Sequence, residues 1–270
     1  MRTLWETNKP LTATGILMLP VFVLTVIGLF IDPRIITGMP AWLKPAKFAV
    51  SISIYTLTLA WIFRYLADWP RLRSITGWVT SVIMVLEIGI ISIQAARGTT
   101  SHFNVGTPLD AALFAIMGAA ILIAWLASIA VMVALFRQNF ADPVMAWALR
   151  LGVLIAVLGA ATGGLMVTPT SAQRAEARVT QHMTVSGAHT VGAPDGGPGM
   201  PGTGWSREHG DLRVPHFLGL HAMQILPLLA WLWKPKRASA IIAAGGAYGL
   251  LFALALAQAL AGRPFLGGLR

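Results

Sequence analysis

Cysteine is absent from this 270-residue chain, tyrosine occurs three times, and only 11% of the side chains are charged. The first absence excludes a disulfide framework. The shortage of charge excludes more. An ordinary soluble domain carries about 25% charged residues, which keep its surface wettable. A chain that is 56% hydrophobic, with a mean hydropathy of +0.70, fits neither a soluble enzyme nor a disordered segment. Acids are scarcer than bases: ten Asp and Glu stand against twenty Lys and Arg, a net charge of +10. A nucleic-acid binder gathers such an excess on one exposed face. Here the cations are scattered between apolar runs, so nucleic acid is excluded as a partner.

What is present is a series of long apolar runs. A helix needs roughly 20 mostly apolar residues to cross the hydrocarbon core. Seven segments meet that requirement: 11–31, 48–66, 75–96, 109–136, 143–167, 216–233 and 238–261. The expected fold is therefore all-α: one polytopic bundle over residues 1–270 with seven transmembrane helices and the lipid bilayer as its solvent. Tryptophans near the predicted ends (Trp42, Trp69, Trp78, Trp147, Trp231, Trp233) fit an interfacial belt. The first run has no small-residue cleavage site, and Pro20 and Asp32-Pro33-Arg34 do not supply one, so it is expected to be retained.

Seven spans put the termini on opposite sides. Arg2, Lys9, Arg64, Arg71, Arg73, Arg137, Arg150, Lys234, Lys236 and Arg237 fall in short segments on the N-terminal side. The other side spreads its ten cations over longer loops and mixes them with six carboxylates. Short-loop counting then places the N-terminus in the cytoplasm and the C-terminus outside, in the cell's inner (plasma) membrane.

The one long loop, 168–215, lies on the outer side. It opens with Thr170-Ser-Ala-Gln173, the pattern of a capping box for a short helix through Arg178. Residues 191–210 (VGAPDGGPGMPGTGWSREHG) read either as a flexible linker or as a lid, with Trp205, Arg207 and Asp211 arguing for the lid. Gly159 with Gly163, and Gly245 with Gly249, are small residues four apart, expected to pack helices within the molecule.

Polar groups inside a bilayer are costly and turn toward the bundle interior or a cavity. Lys47, Ser51, Tyr55 and Thr58 form one helical stripe, as do Thr80, Glu87 and Gln94. The sixth span brings His216, His221 and Gln224. Counted from the outer ends at about 1.5 Å per residue, Lys47, Gln94 and His216 lie near the surface and His221 and Ser51 at roughly 5–8 Å. Tyr55, Glu87 and Gln224 come out at roughly 12–14 Å by the same count. An outward-facing pocket of Lys47, Ser51, Tyr55, Glu87, Gln94, Arg97 and Gln224 is the economical expectation. Lys44 and Lys47 sit at its mouth, and all six histidines (His102, His182, His189, His209, His216, His221) open toward the same side.

His102, His216 and His221 are the candidate metal ligands, with Asp211 or Glu87 as carboxylate partners, because neutral imidazole binds zinc, copper or haem iron. His102 with His216 or His221 is the candidate axial pair for a haem. His216 and His221 are five apart, about 140° around a helix, so they do not form a zincin pair. The last span holds no histidine, which removes the ceramidase and adiponectin-receptor pattern, and no lysine, which removes retinal binding. The leading expectation is a pocket that handles a metal, a haem or a small redox ligand such as a quinone. Its alternative is a non-enzymatic carrier, sensor or assembly partner that binds an anionic or lipidic ligand through Lys47, Arg97 and Arg213. A proton-coupled carrier would use Glu87, Lys47 and Tyr55 as a relay. An intramembrane metal-dependent hydrolase using His and Glu stands third.

Three stretches, WLKPAKF at 42–48, QAARGTTSHFN at 94–104 and GDLRVPHFLGLHAMQ at 210–224, resemble the signature of an uncharacterised family of bacterial polytopic membrane proteins. The resemblance runs over most of the chain. It implies the helix count and carries no activity.

Overall fold

In the computed structural model, residues 2–266 are described; the Arg2 side chain, one of the cations counted on the N-terminal side, lies outside that set. The described residues form nine α-helices: α1 Arg2–Thr7, α2 Lys9–Ile31, α3 Leu43–Ile62, α4 Pro70–Ala96, α5 Pro108–Arg137, α6 Pro143–Met166, α7 Ser171–Thr180, α8 Arg213–Trp233 and α9 Ala238–Leu260. Two antiparallel pairs of two-residue strands join them, β1 Ile35–Ile36 with β2 Met39–Pro40 and β3 Thr190–Val191 with β4 Gly210–Asp211. Helices α2, α3, α4, α5, α6, α8 and α9 are long and apolar enough to cross a membrane.

Local chemistry sets where the helices begin. Helices α2, α4, α5 and α6 carry proline in their first turn, where its missing N–H costs nothing. Asn8, Thr107 and Asp142 accept first-turn amides with their side chains. Hydropathy alone misses these starts. Helix α3 begins at Leu43, α4 at Pro70 and α8 at Arg213, each several residues before its apolar run, so Lys44 and Lys47 belong to the first turns of α3.

The chain divides into two compact units, Met1–Gln138 and Asn139–Arg270. In the first, Met18 of α2, Ala49 and Ile52 of α3 and Ile88 of α4 form a buried cluster against Val21, Phe48 and Met84. Phe48 also packs on the cluster of Ile90, Ile91 and Met117, which adds α5. Helices α2 and α3 approach closely, and the Ser53 hydroxyl donates to the Gly15 carbonyl at 2.9 Å.

In the second unit, Ile155 of α6, Ala222 and Leu226 of α8 and Phe252 of α9 form the core. Helices α6 and α8 meet at Gly159 and Gly219. A Cβ at Gly159 would stand 2.5 Å from the Gly219 Cα. Gly245 abuts Leu151 and Gly249 faces Ile155, so the glycines of the two expected pairs pack within the molecule.

The long loop is folded. The capping box forms as expected, with Thr170 and Gln173 exchanging hydrogen bonds at the start of α7. The Gln173 side chain also binds both the N–H and the carbonyl of Gly187. Trp205 lies edge-on to Phe217 and Phe265, and Gly210 sits so close to the Ala259 carbonyl that no side chain fits there. This segment is a folded cap on the ends of α8 and α9, not a flexible linker.

Candidate functional site

Glu87 lies in α4, nine residues before its end, about 13 Å along the axis. It is 2% exposed, and among the described residues neither carboxyl oxygen has a hydrogen-bond partner. Native proteins pair their buried polar groups almost without exception, so each orphan calls for a physical explanation. Glu87 falls beside Ile88, one turn from Ile91, so its neighbours on α4 are apolar. Lys44 lies in the first turn of α3.

Phe48, one turn further along α3, connects these groups to the loop after α4. Lys44 Nζ stands 6.0 Å from the centre of the Phe48 ring. The His102 ring is tilted against that of Phe48, with ring centres 5.8 Å apart. His102 Nδ1 is 3.1 Å from Ser101 Oγ, and Phe103 stands edge-on to both His102 and Phe114. Phe103 is buried and held at φ +65°, a left-handed conformation unfavourable for a bulky residue. Asn104 steadies this turn: its amide donates to Thr99 Oγ1, and its carbonyl oxygen accepts from the Gly106 N–H.

Gln94 and Arg97, expected in the pocket, are both committed to Asp110 on α5. Gln94 Nε2 donates to Asp110 Oδ1 at 2.8 Å and Arg97 Nη1 to the same oxygen at 2.6 Å, while Arg97 also donates to Gln94 Oε1. Thr107 Oγ1 donates to Asp110 Oδ2 at 2.7 Å. Asp110 was not singled out in the sequence, although Thr107-Pro-Leu-Asp110 ahead of an apolar run carries the spacing of a helix cap.

Of the stripe on α3, Tyr55 is hydrogen-bonded to Ser128 of α5 at 3.0 Å, with the Ser128 hydroxyl donating onward to the Ala124 carbonyl. Lys47 and Thr58 are half-buried, whereas Ser51 is exposed. The buried hydroxyls are Ser53 and Thr56, on the face turned to α2. Lys47, Ser51, Tyr55, Glu87, Gln94, Arg97 and His102 belong to the first unit, and His216, His221 and Gln224 to the second.

In the second unit His216 Nδ1 lies 2.9 Å from the Gly159 carbonyl and 3.2 Å from Thr162 Oγ1, which ties α8 to α6. The His221 ring packs against Phe217 at 4.3 Å. With the oxygen and nitrogen of its amide exchanged, Gln224 donates to the Leu220 and His221 carbonyls at 3.2 Å each. Among the described residues no three His, Asp or Glu side chains are gathered as a metal site requires.

In the cap, Asp211 and Arg213 form a two-pronged ion pair with contacts of 2.9 and 2.6 Å, and Arg213 also donates to the Gly204 carbonyl. Asp195 accepts from the His189 and Thr190 N–H groups and lies 2.9 Å from His189 Nδ1. Burial alone would push the Asp195 carboxyl up. The His189 ring and the two amides outweigh that and hold it below its ordinary value. At the β1–β2 turn, the Arg34 guanidinium, assisted by the Trp42 indole N–H, holds the Asp32 carboxyl well below the usual carboxylate range. Arg34 also donates to the Ala96 carbonyl, fastening this turn to the end of α4.

No known protein family, curated protein or solved structure matches the chain.

Proposed function

We propose that this protein is a multi-pass inner-membrane protein, N-terminus in the cytoplasm and C-terminus outside, that works as a proton-exchanging carrier or sensor with Glu87 as its exchangeable group. The observation that carries this reading is the unpartnered, 2%-exposed carboxyl of Glu87 within a helix long and apolar enough to span. An ionised carboxylate without hydrogen bonds in such surroundings is strongly disfavoured, and the group neutralises instead. A neutral carboxyl can release its proton when a cation or water arrives to support the anion. Lys44, in the first turn of α3, is a candidate for that cation. An ionisable residue inside the membrane of this kind marks proton relays and ion paths.

A second reading draws on the aromatic wall of Phe48, His102 and Phe103: a flat redox ligand such as a quinone, whose carbonyl accepts a hydrogen bond from the Glu87 O–H. Anion binding through Lys47, Arg97 and Arg213 has less support, because Arg97 and Arg213 are each held by a carboxylate. A metal, haem or hydrolase centre has less again, because the donors are not gathered among the described residues.

The test is proton uptake by vesicles containing the protein under an imposed pH gradient, with Glu87→Gln as the variant. The carrier reading expects uptake that the variant abolishes while its helix content is unchanged. Equal uptake by variant and parent would sink it. Added ubiquinone that shifts the thermal unfolding of the parent but not of Glu87→Gln would favour the quinone.

A further inference from the structure

At the α8–α9 turn Trp233, Lys234, Lys236, Arg237 and Ser239 line a shallow concavity open to its surroundings. The three cations are exposed, and none has a side-chain hydrogen bond or ion pair among the described residues. This differs from the guanidinium groups of Arg34, Arg97 and Arg213, each bound to a carboxylate. The backbone holds the cluster in place. Lys234 closes α8 in the left-handed conformation at φ +48°, and its N–H is tied to the Ala230 carbonyl, so the chain turns sharply within four residues. Arg237 then precedes α9 in an extended conformation with no capping side chain. Trp231 and Trp233, 62% and 54% exposed, stand on the last turn of α8. Amphipathic indoles of this kind settle at the depth of lipid headgroups.

We infer that this turn is a binding site for the phosphate of an anionic phospholipid, with Lys234, Lys236 and Arg237 as its ligands and Trp233 against the glycerol and upper acyl region. Three cations around one concavity attract a phosphodiester, whose single negative charge offsets one of the three. The Arg237 guanidinium can take two phosphate oxygens side by side, while the lysines act as point charges and the Ser239 hydroxyl is an additional donor. Basic pockets between membrane helices bind phosphate headgroups by this chemistry. The inference rests on the membrane reading above and is independent of the role given to Glu87.

The experiment is native mass spectrometry of the detergent-solubilised full chain with phosphatidylglycerol, phosphatidylcholine or inorganic phosphate. Three proteins are compared: the parent, the triple variant Lys234→Gln/Lys236→Gln/Arg237→Gln, and a control triple variant Lys9→Gln/Arg64→Gln/Arg71→Gln that loses the same charge elsewhere. The expected result is preferential retention of phosphatidylglycerol, weakened about five-fold for each turn cation removed and by less in the control. Equal retention of both lipids overturns the inference, as does equal loss of preference in the two triple variants. Displacement of the lipid by millimolar inorganic phosphate overturns the assignment to a lipid. Failure of the membrane reading is distinguishable, since the chain would then stay in solution when detergent is removed in the presence of vesicles of either composition.

Discussion

At Asp110 three donors converge on one nearly buried carboxylate, and at Glu87, two turns earlier on the facing helix than Gln94, none does. The difference gives Asp110 a structural role and underlies the proposal made for Glu87. Asp110→Asn weakens the contacts with Gln94, Arg97 and Thr107, and should destabilise the protein by about 1.5–3 kcal/mol, the usual worth of hydrogen bonds to a charged group. Thermal unfolding in detergent measures it, and an unchanged midpoint would contradict the assignment. Glu87 was legible in the sequence because a carboxylate in a long apolar run has few bland explanations. The engagement of Gln94 and Arg97 was not, because their partner lies 16 and 13 residues away on another helix. The choice between Ser51 and Ser53 was equally hidden, since α3 carries hydroxyls on both faces and only the position of α2 decides which are buried.

At the scale of elements, the crossing of α6 and α8 depends on Gly159 more than on Gly163. A Cβ at Gly159 would collide with the Gly219 backbone, whereas at Gly163 the nearest atom outside its own helix backbone and chain neighbours is His216 Cε1 at 3.8 Å, and at Gly164 nothing such lies within 4 Å. Gly159→Ala should therefore cost about 1–3 kcal/mol through overpacking. Gly164→Ala should be neutral or stabilising, because alanine is the better helix former. Parallel melting curves of the two variants decide the matter, and equal effects would contradict it. Glycine spacing identified the right helix but could not say which glycine carried the contact.

The cap offers a pH test. Asp195 holds its proton less tightly than an ordinary aspartate of pKa 3.8. Its contacts with His189 and Thr190 therefore contribute stability above that pH, and the contribution fades as acid is added below it. Amide exchange at those two residues should stay protected through about pH 4 and open only in stronger acid, where Asp195 itself takes up a proton. Loss of protection already near neutral pH would contradict this. The capping box of α7 was readable because its signals lie within four residues, while the pairing of β3 with β4 joins residues about twenty apart in a glycine-rich stretch.

At the scale of the whole molecule, seven apolar helices were legible because length and hydropathy are one-dimensional properties. Their polar first turns were not, since those residues are recruited by caps and prolines beyond the apolar runs. The division into two compact units left no mark in composition. In the proposed topology the single crossing of α8 puts the cap and the α8–α9 turn on opposite sides. The absence of native cysteine makes this simple to check. Lys236→Cys should react with a membrane-impermeant thiol reagent only in inside-out vesicles, and Glu208→Cys only in intact spheroplasts; labelling of both from one side would contradict the topology.

The central claim is that Glu87 carries its proton inside the membrane-spanning part of the first unit. Infrared difference spectroscopy of the protein in lipid at neutral pH reads this directly, parent minus Glu87→Gln. The account predicts a carboxylic-acid carbonyl band that shifts in heavy water and is missing from the variant. A spectrum in which the substitution removes only carboxylate bands would contradict it.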